Sequence, residues 1–215
     1  MRPVICLITP SCAPGVEAAH AMVDRIHAAA RAGVHLIQIR QRTLEGRALA
    51  RLVEASLAAV AGTRTRVVVN DRLDVALAAG AHGVHLRGDS MPAARVRALA
   101  PPGFLIGRSV HGADEAAAAT RDGAPDYLIF GTVFPTDSKP GAVPAGAHGL
   151  AAACAAVAIP VLAVGGMTPA RLGAVAAAGA DGFAAIGLFT AGAPDALDDM
   201  VSSTVRAFDT PAGVP

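Results

Sequence analysis

Apolar residues along this chain concentrate in short runs, and between the runs lie longer stretches with helical spacing. The runs cover residues 4–9, 34–39, 66–70, 83–86, 104–109, 126–130, 161–164 and 182–186. The run at 161–164 has no room for a solvent-facing side chain, which marks a strand buried on both faces, as in a parallel sheet. The intervening stretches predict helices over residues 15–32, 44–61, 73–79, 92–99, 113–122, 149–157, 171–178 and 195–208. Eight strands each followed by a helix predict a (β/α)8 TIM barrel, one α/β domain spanning residues 1–215. A doubly wound open sheet has the same alternation, but no G-x-G-x-x-G follows the first strand.

Residues 159–189, IPVLAVGGMTPARLGAVAAAGADGFAAIGLF, carry the sharpest local signal. One strand stops at Gly165-Gly166, where no Cβ stands in the way of a ligand. Thr168 and Pro169 then give the N-cap and first position of a helix. The next strand ends at Ile186-Gly187. Two parallel strands thus present backbone N–H groups at their C-terminal ends beside a helix start, a corner suited to a phosphate. The phosphate candidates are Gly165, Gly166, Ile186 and Gly187; a plain βα turn is the alternative.

Composition narrows the class. Hydrophobic residues make up 53% and charged residues 16%, enough to fill a large core. With no Trp and 3% aromatics, alanine and the aliphatics must build it. The net charge of +1 and the lack of basic runs argue against nucleic acid as a partner. Apolar stretches fall short of the ~20 residues a membrane span needs. Cys6, Cys12 and Cys154 have no metal-type spacing and cannot all pair, so a reduced, cytoplasmic protein is expected. Alanine-rich helices leave room for a homodimer face.

In a barrel the C-terminal strand ends share one mouth. Reading them in order gives Thr9, then Gln38, Arg40 and Arg42, then Asn70-Asp71, then His85, then Ser109 and His111. Gln38, Arg40 and Arg42 alternate at strand spacing and can face the mouth together, where two guanidiniums suit a phosphate or diphosphate; a salt-bridged strand end is the bland reading. Asn70-Asp71 can hold magnesium or the ring nitrogens of a heterocycle, and Asp71 can equally cap the next helix. Asp89 offers a second carboxylate. His85 reads as a barrel-interior residue, whereas His111, at the mouth, can move protons near neutral pH. Lys139 is the one lysine among 18 basic residues, in a Gly- and Pro-rich loop with Thr136 and Ser138, which predicts a lid.

QIRQR at 38–42, VNDRLDVALAAGAHGVHL at 69–86, GRSVH at 107–111, DYLIFGTVFPTDSKPG at 126–141 and AVGGMTPARL at 163–172 together resemble the thiamine phosphate synthase and thiazole tautomerase (TenI) superfamily over nearly the whole chain. The resemblance implies a thiamine-biosynthesis enzyme that takes a small-molecule thiazole phosphate. The form of GRSVH, of the 130–141 loop and of GGMTP is more similar to the tautomerase group. That activity needs no cofactor and implies His111 as the acid/base, with Lys139 beside it. The alternative is the synthase, a transferase joining a pyrimidine diphosphate to the thiazole phosphate with Mg2+. It implies Gln38, Arg40, Asn70, Ser109 and Lys139 at the pyrimidine diphosphate, Thr136 and Ser138 at the thiazole, and Asp71, with Asp89, at the metal. Three positions depart from the synthase pattern: Arg42 replaces a lysine, Ser90 replaces the second metal carboxylate with Asp89 one residue early, and Gly187 replaces a serine. A barrel that only binds phosphorylated heterocycles is the remaining, non-catalytic expectation.

Overall fold

The computed structural model describes residues 3–11, 16–121, 125–136, 141 and 143–209. Among them, eight parallel strands close into a barrel in sequence order. They are β1 (Val4–Ile8), β2 (Leu36–Ile39), β3 (Arg66–Asn70), β4 (Gly83–Leu86), β5 (Leu105–Val110), β6 (Tyr127–Gly131), β7 (Val161–Val164) and β8 (Gly182–Ala185). The ring of helices is α1 (Val16–Arg31), α2 (Gly46–Ala59), α3 (Leu73–Ala78), α4 (Ala93–Leu99), α5 (Ala113–Arg121), α6 (Gly146–Ala155), α7 (Pro169–Ala177), α8 (Gly187–Thr190) and α9 (Leu197–Asp209). The expected (β/α)8 barrel is the observed fold.

Alternation along each strand divides the apolar residues between two cores. Cys6, Ile8, Leu36, Val68, Tyr127, Ile129, Leu162 and Ala184 fill the barrel interior. Ile5, Leu7, Ile37, Ile39, Val67 and Val69 point outward and pack beneath the helices. Nearly continuous burial explains why the strands read as mostly apolar runs.

Two local expectations need correction. Helix α8 intervenes between β8 and the final helix, and Pro194–Ala196 forms a 3-10 turn ahead of α9. Thr168 and Pro169 do stand at the N-cap and start of α7, as expected, although Thr168 makes no side-chain cap bond. Asp71 does not cap α3, whose N-cap is Arg72. Instead Asp71 adopts φ 63°, a left-handed conformation uncommon outside glycine, and its N–H donates to the His85 carbonyl at 2.9 Å. Of the cysteines, Cys6 and Cys154 are free thiols; Cys12 lies outside the described residues.

Candidate active site

A cavity of about 690 Å³ opens at the C-terminal ends of the strands. It gathers Gln38, Arg40, Arg42, Asn70, Asp89, Ser109, His111, Thr136, Gly165, Gly166, Ile186 and Gly187, each a candidate from the sequence. Asp71 does not line it. Ser138 and Lys139 lie outside the described residues. Thr9, at the end of β1, is fully buried and serves the structure, since its Oγ1 accepts the Arg40 N–H at 2.9 Å and Gln41 Nε2 at 3.3 Å. That pair of bonds anchors the chain just where β2 delivers Arg40 to the mouth.

The β2 end is short of partners. Gln38 is 2% exposed; its Nε2 donates to Asn70 Oδ1 at 3.0 Å, while its Oε1 is buried with no partner among the described residues. A buried amide oxygen left without a donor costs about 1–3 kcal/mol, so a ligand that supplies one gains accordingly. Beyond it, Arg40 and Arg42 make no ion pair among the described residues. Burial lowers the Arg40 pKa, and the neighbouring Arg42 charge lowers it further. Both causes describe a cationic corner with no carboxylate paired to it among the described residues, which an anion would relieve. Among the described residues, then, no salt-bridged strand end forms.

Across the cavity the wall is backbone. Gly165 and Gly166 have φ of 102° and 64°. A Cβ on Gly165 would lie 2.6 Å from Thr132 Cγ2, and one on Gly166 would collide with the Pro135 carbonyl. Only glycine satisfies both the dihedrals and the space. Their N–H groups donate to no described acceptor. Arg171 braces the turn, with Nη1 donating to the Gly166 carbonyl at 2.6 Å and its guanidinium lying 5.0 Å from the centre of the Phe134 ring. Ile186, Gly187 and Leu188, at the start of α8, complete this wall. A Cβ on Gly187 would meet nothing within 4 Å, so packing does not demand glycine there.

The acidic rim is organised by Arg87, a residue that belongs to none of the sequence motifs. From the loop after β4 it pairs with Asp71 at 3.5 Å and, more closely, with Asp89. The Ser90 hydroxyl donates to Asp71 and accepts the Arg87 N–H at 2.8 Å. Magnesium commonly takes one or two carboxylates and completes its shell with phosphate oxygens and water. Asp71, Asp89 and the Ser90 oxygen fit that donor chemistry, although no group of three or more His, Cys, Asp or Glu forms among the described residues.

His111 stands exposed at the mouth, with its N–H on Glu115 Oε2 at 2.8 Å and its Nδ1 3.3 Å from the same oxygen. Glu115 was legible only as a first-turn acid of α5, yet at i+4 it reaches back to orient the ring. His85 sits deeper, 1% exposed, with Nε2 2.9 Å from Ser109 Oγ and Nδ1 3.3 Å from Tyr127 Oη. Burial pushes its pKa down to about 3, so it stays neutral through the physiological range.

Comparison with known proteins fits this geometry. Residues 5–189 match the model of the family described as thiamine monophosphate synthase. The thiamine-phosphate synthase of Chlorobium luteolum is 40% identical over 189 residues, covering 87% of this chain and 85% of that one. The enzyme of the same name from Roseiflexus castenholzii is 40% identical over 195 residues, covering 90% and 83%. Among solved structures, thiamine phosphate pyrophosphorylase from Pyrococcus furiosus superimposes with a TM-score of 0.81 at 29% identity, over 96% of both chains. These names favour the synthase alternative over the tautomerase first expected. No described helix is long and apolar enough to cross a membrane. With its barrel, its cavity and these relatives in view, the chain belongs to the thiamine monophosphate synthase family.

Proposed function

We propose that this protein is a cytoplasmic thiamine-phosphate synthase, joining a pyrimidine diphosphate to a thiazole phosphate. One observation supports the reading: the cavity has two ends suited to an anion, the guanidiniums of Arg40 and Arg42, which make no ion pair among the described residues, on one side and the Gly165-Gly166 turn on the other. Condensing two phosphorylated substrates gives each end an anion to hold. The relatives' names support the same choice.

In the reaction the carbon–oxygen bond between the pyrimidine methylene and diphosphate breaks, and the electron pair leaves with diphosphate. The thiazole nitrogen lone pair then forms the new carbon–nitrogen bond, with no water consumed. Arg40 and Arg42 offset the charge that grows on the leaving group. The unpartnered Gln38 Oε1 accepts from a pyrimidine amino group and orients the ring. The Gly165 and Gly166 N–H groups hold the thiazole phosphate so that its nitrogen faces the methylene. Magnesium, when bound by Asp71 and Asp89, would spread the diphosphate charge. Arg87 must release both carboxylates for that to happen.

The second reading, thiazole tautomerase, rests on His111, which reaches the cavity with Glu115 steadying it. Incubation with both substrates, with and without a chelator, separates the two. Thiamine phosphate that disappears on chelation supports the synthase. No product from folded protein, together with tautomer interconversion abolished in His111→Ala, would replace it with the tautomerase.

A further inference from the structure

Ser109 is backed by two buried residues, His85, which also reaches the cavity, and Tyr127. Its Oγ lies 2.9 Å from His85 Nε2, and His85 Nδ1 lies 3.3 Å from Tyr127 Oη. Strand register explains the meeting. His85 is level with Gly107, and Gly107 with Tyr127. A Cβ on Gly107 would collide with both rings, so the missing side chain on β5 lets its two neighbours touch.

The direction of the two hydrogen bonds follows from satisfaction of buried groups. Tyr127 is 7% exposed, and burial raises its pKa well above the usual tyrosine value, so the hydroxyl keeps its proton. Among the described residues its one polar partner is His85 Nδ1. Were Nδ1 protonated, it would donate to the phenol oxygen and the phenol proton would be left buried without an acceptor. With Nδ1 bare, the phenol donates to it, the ring carries its proton on Nε2, and Nε2–H donates to Ser109 Oγ. The Ser109 hydroxyl proton then has no described acceptor except across the cavity that Ser109 lines.

We propose that Tyr127 and His85 are positioning residues that fix Ser109 as a one-way hydrogen-bond donor into the cavity, aimed at an acceptor atom on the bound substrate. The tautomer holds whatever the reaction; only its kinetic consequence rests on the synthase reading.

Nitrogen-15 spectra of histidine-labelled protein at pH 7.5 test the tautomer directly, with His85 assigned through bonds to its backbone. The expected spectrum has an unprotonated Nδ1 and a protonated Nε2 on His85; a protonated Nδ1 would overturn the proposal. Tyr127→Phe keeps the ring and removes the donor. It should let the Nδ1–H form appear and lower kcat/KM roughly three- to tenfold. The same substitution in a Ser109→Ala background should cost nothing further, since its effect passes through Ser109. Equal losses in both backgrounds would assign Tyr127 to packing alone. A protein lacking synthase activity would remove the synthase reading, and the His85 spectrum would still decide the tautomer.

Discussion

The two ends of the barrel treat polar groups in opposite ways. At the floor, the residue just before each even-numbered strand accepts a backbone N–H from the strand before it. His35 Nδ1 takes Ile5 N–H at 3.2 Å and His82 Nδ1 takes Val67 N–H at 2.9 Å. Asp126 Oδ2 takes Ile106 N–H at 2.7 Å and Asp181 Oδ2 takes Val161 N–H at 2.9 Å. Four quarters of the barrel repeat one device, visible in sequence as AGVH, AGAH, PD and AGAD ahead of β2, β4, β6 and β8. At the mouth, Gln38 Oε1 is buried without a partner, and Arg40 and Arg42 lack counter-ions among the described residues. A satisfied floor holds the barrel shut, and an unsatisfied mouth is ready for ligand.

If that contrast is right, floor and mouth substitutions should separate stability from activity. Arg40→Met should lower kcat/KM on the order of a hundredfold or more, the scale of losing a charged contact to a developing anion. Its melting temperature should hold or rise, because a partly buried guanidinium beside Arg42 is relieved of like charge. Asp181→Ala should do the reverse. Leaving the Val161 N–H buried and unpaired costs about 1–3 kcal/mol in urea unfolding, with activity per folded molecule unchanged.

Acid should find the buried imidazoles. His85 and His82 both have folded pKa values below the usual 6.5, each chiefly through burial, with Arg66 adding to His82. The unfolded chain therefore binds more protons, and stability present above pH 6.5 is lost as pH falls toward the folded values. For His85 the loss runs from about 6.5 down to about 3, at about 1.4 kcal/mol per pH unit. Urea midpoints at pH 7 and pH 5 should show the decline, and His82→Gln, which keeps an acceptor for Val67 N–H without titrating, should lessen it. The smallest effect belongs to Gly187→Ser. Open space at that Cβ should keep the stability change within about 0.5 kcal/mol by thermal melting.

How much of this was legible depended on whether a feature is local. Strands buried on both faces announce themselves as apolar runs, so the barrel and most strand limits could be read directly. Gly165-Gly166 and the Gln38, Arg40, Arg42 alternation were legible for the same reason: chemistry and geometry lie in adjacent residues. Helix α8 was not, since GLFT is four residues long and begins at a glycine that reads as a turn. Arg87 was hidden because its partners Asp71 and Asp89 come from two different loops. The Tyr127–His85 contact was out of reach as well, because it crosses a third strand and exists only through Gly107. Side chains that meet across register leave no pattern along the chain.

The claim that the mouth has two distinct anion-binding ends is tested most directly by titrating pyrimidine diphosphate and thiazole phosphate separately into the wild-type protein and Arg40→Met. The account predicts that Arg40→Met weakens the pyrimidine diphosphate at least about tenfold and leaves thiazole phosphate within about twofold. Equal weakening of both ligands, or of neither, would contradict it.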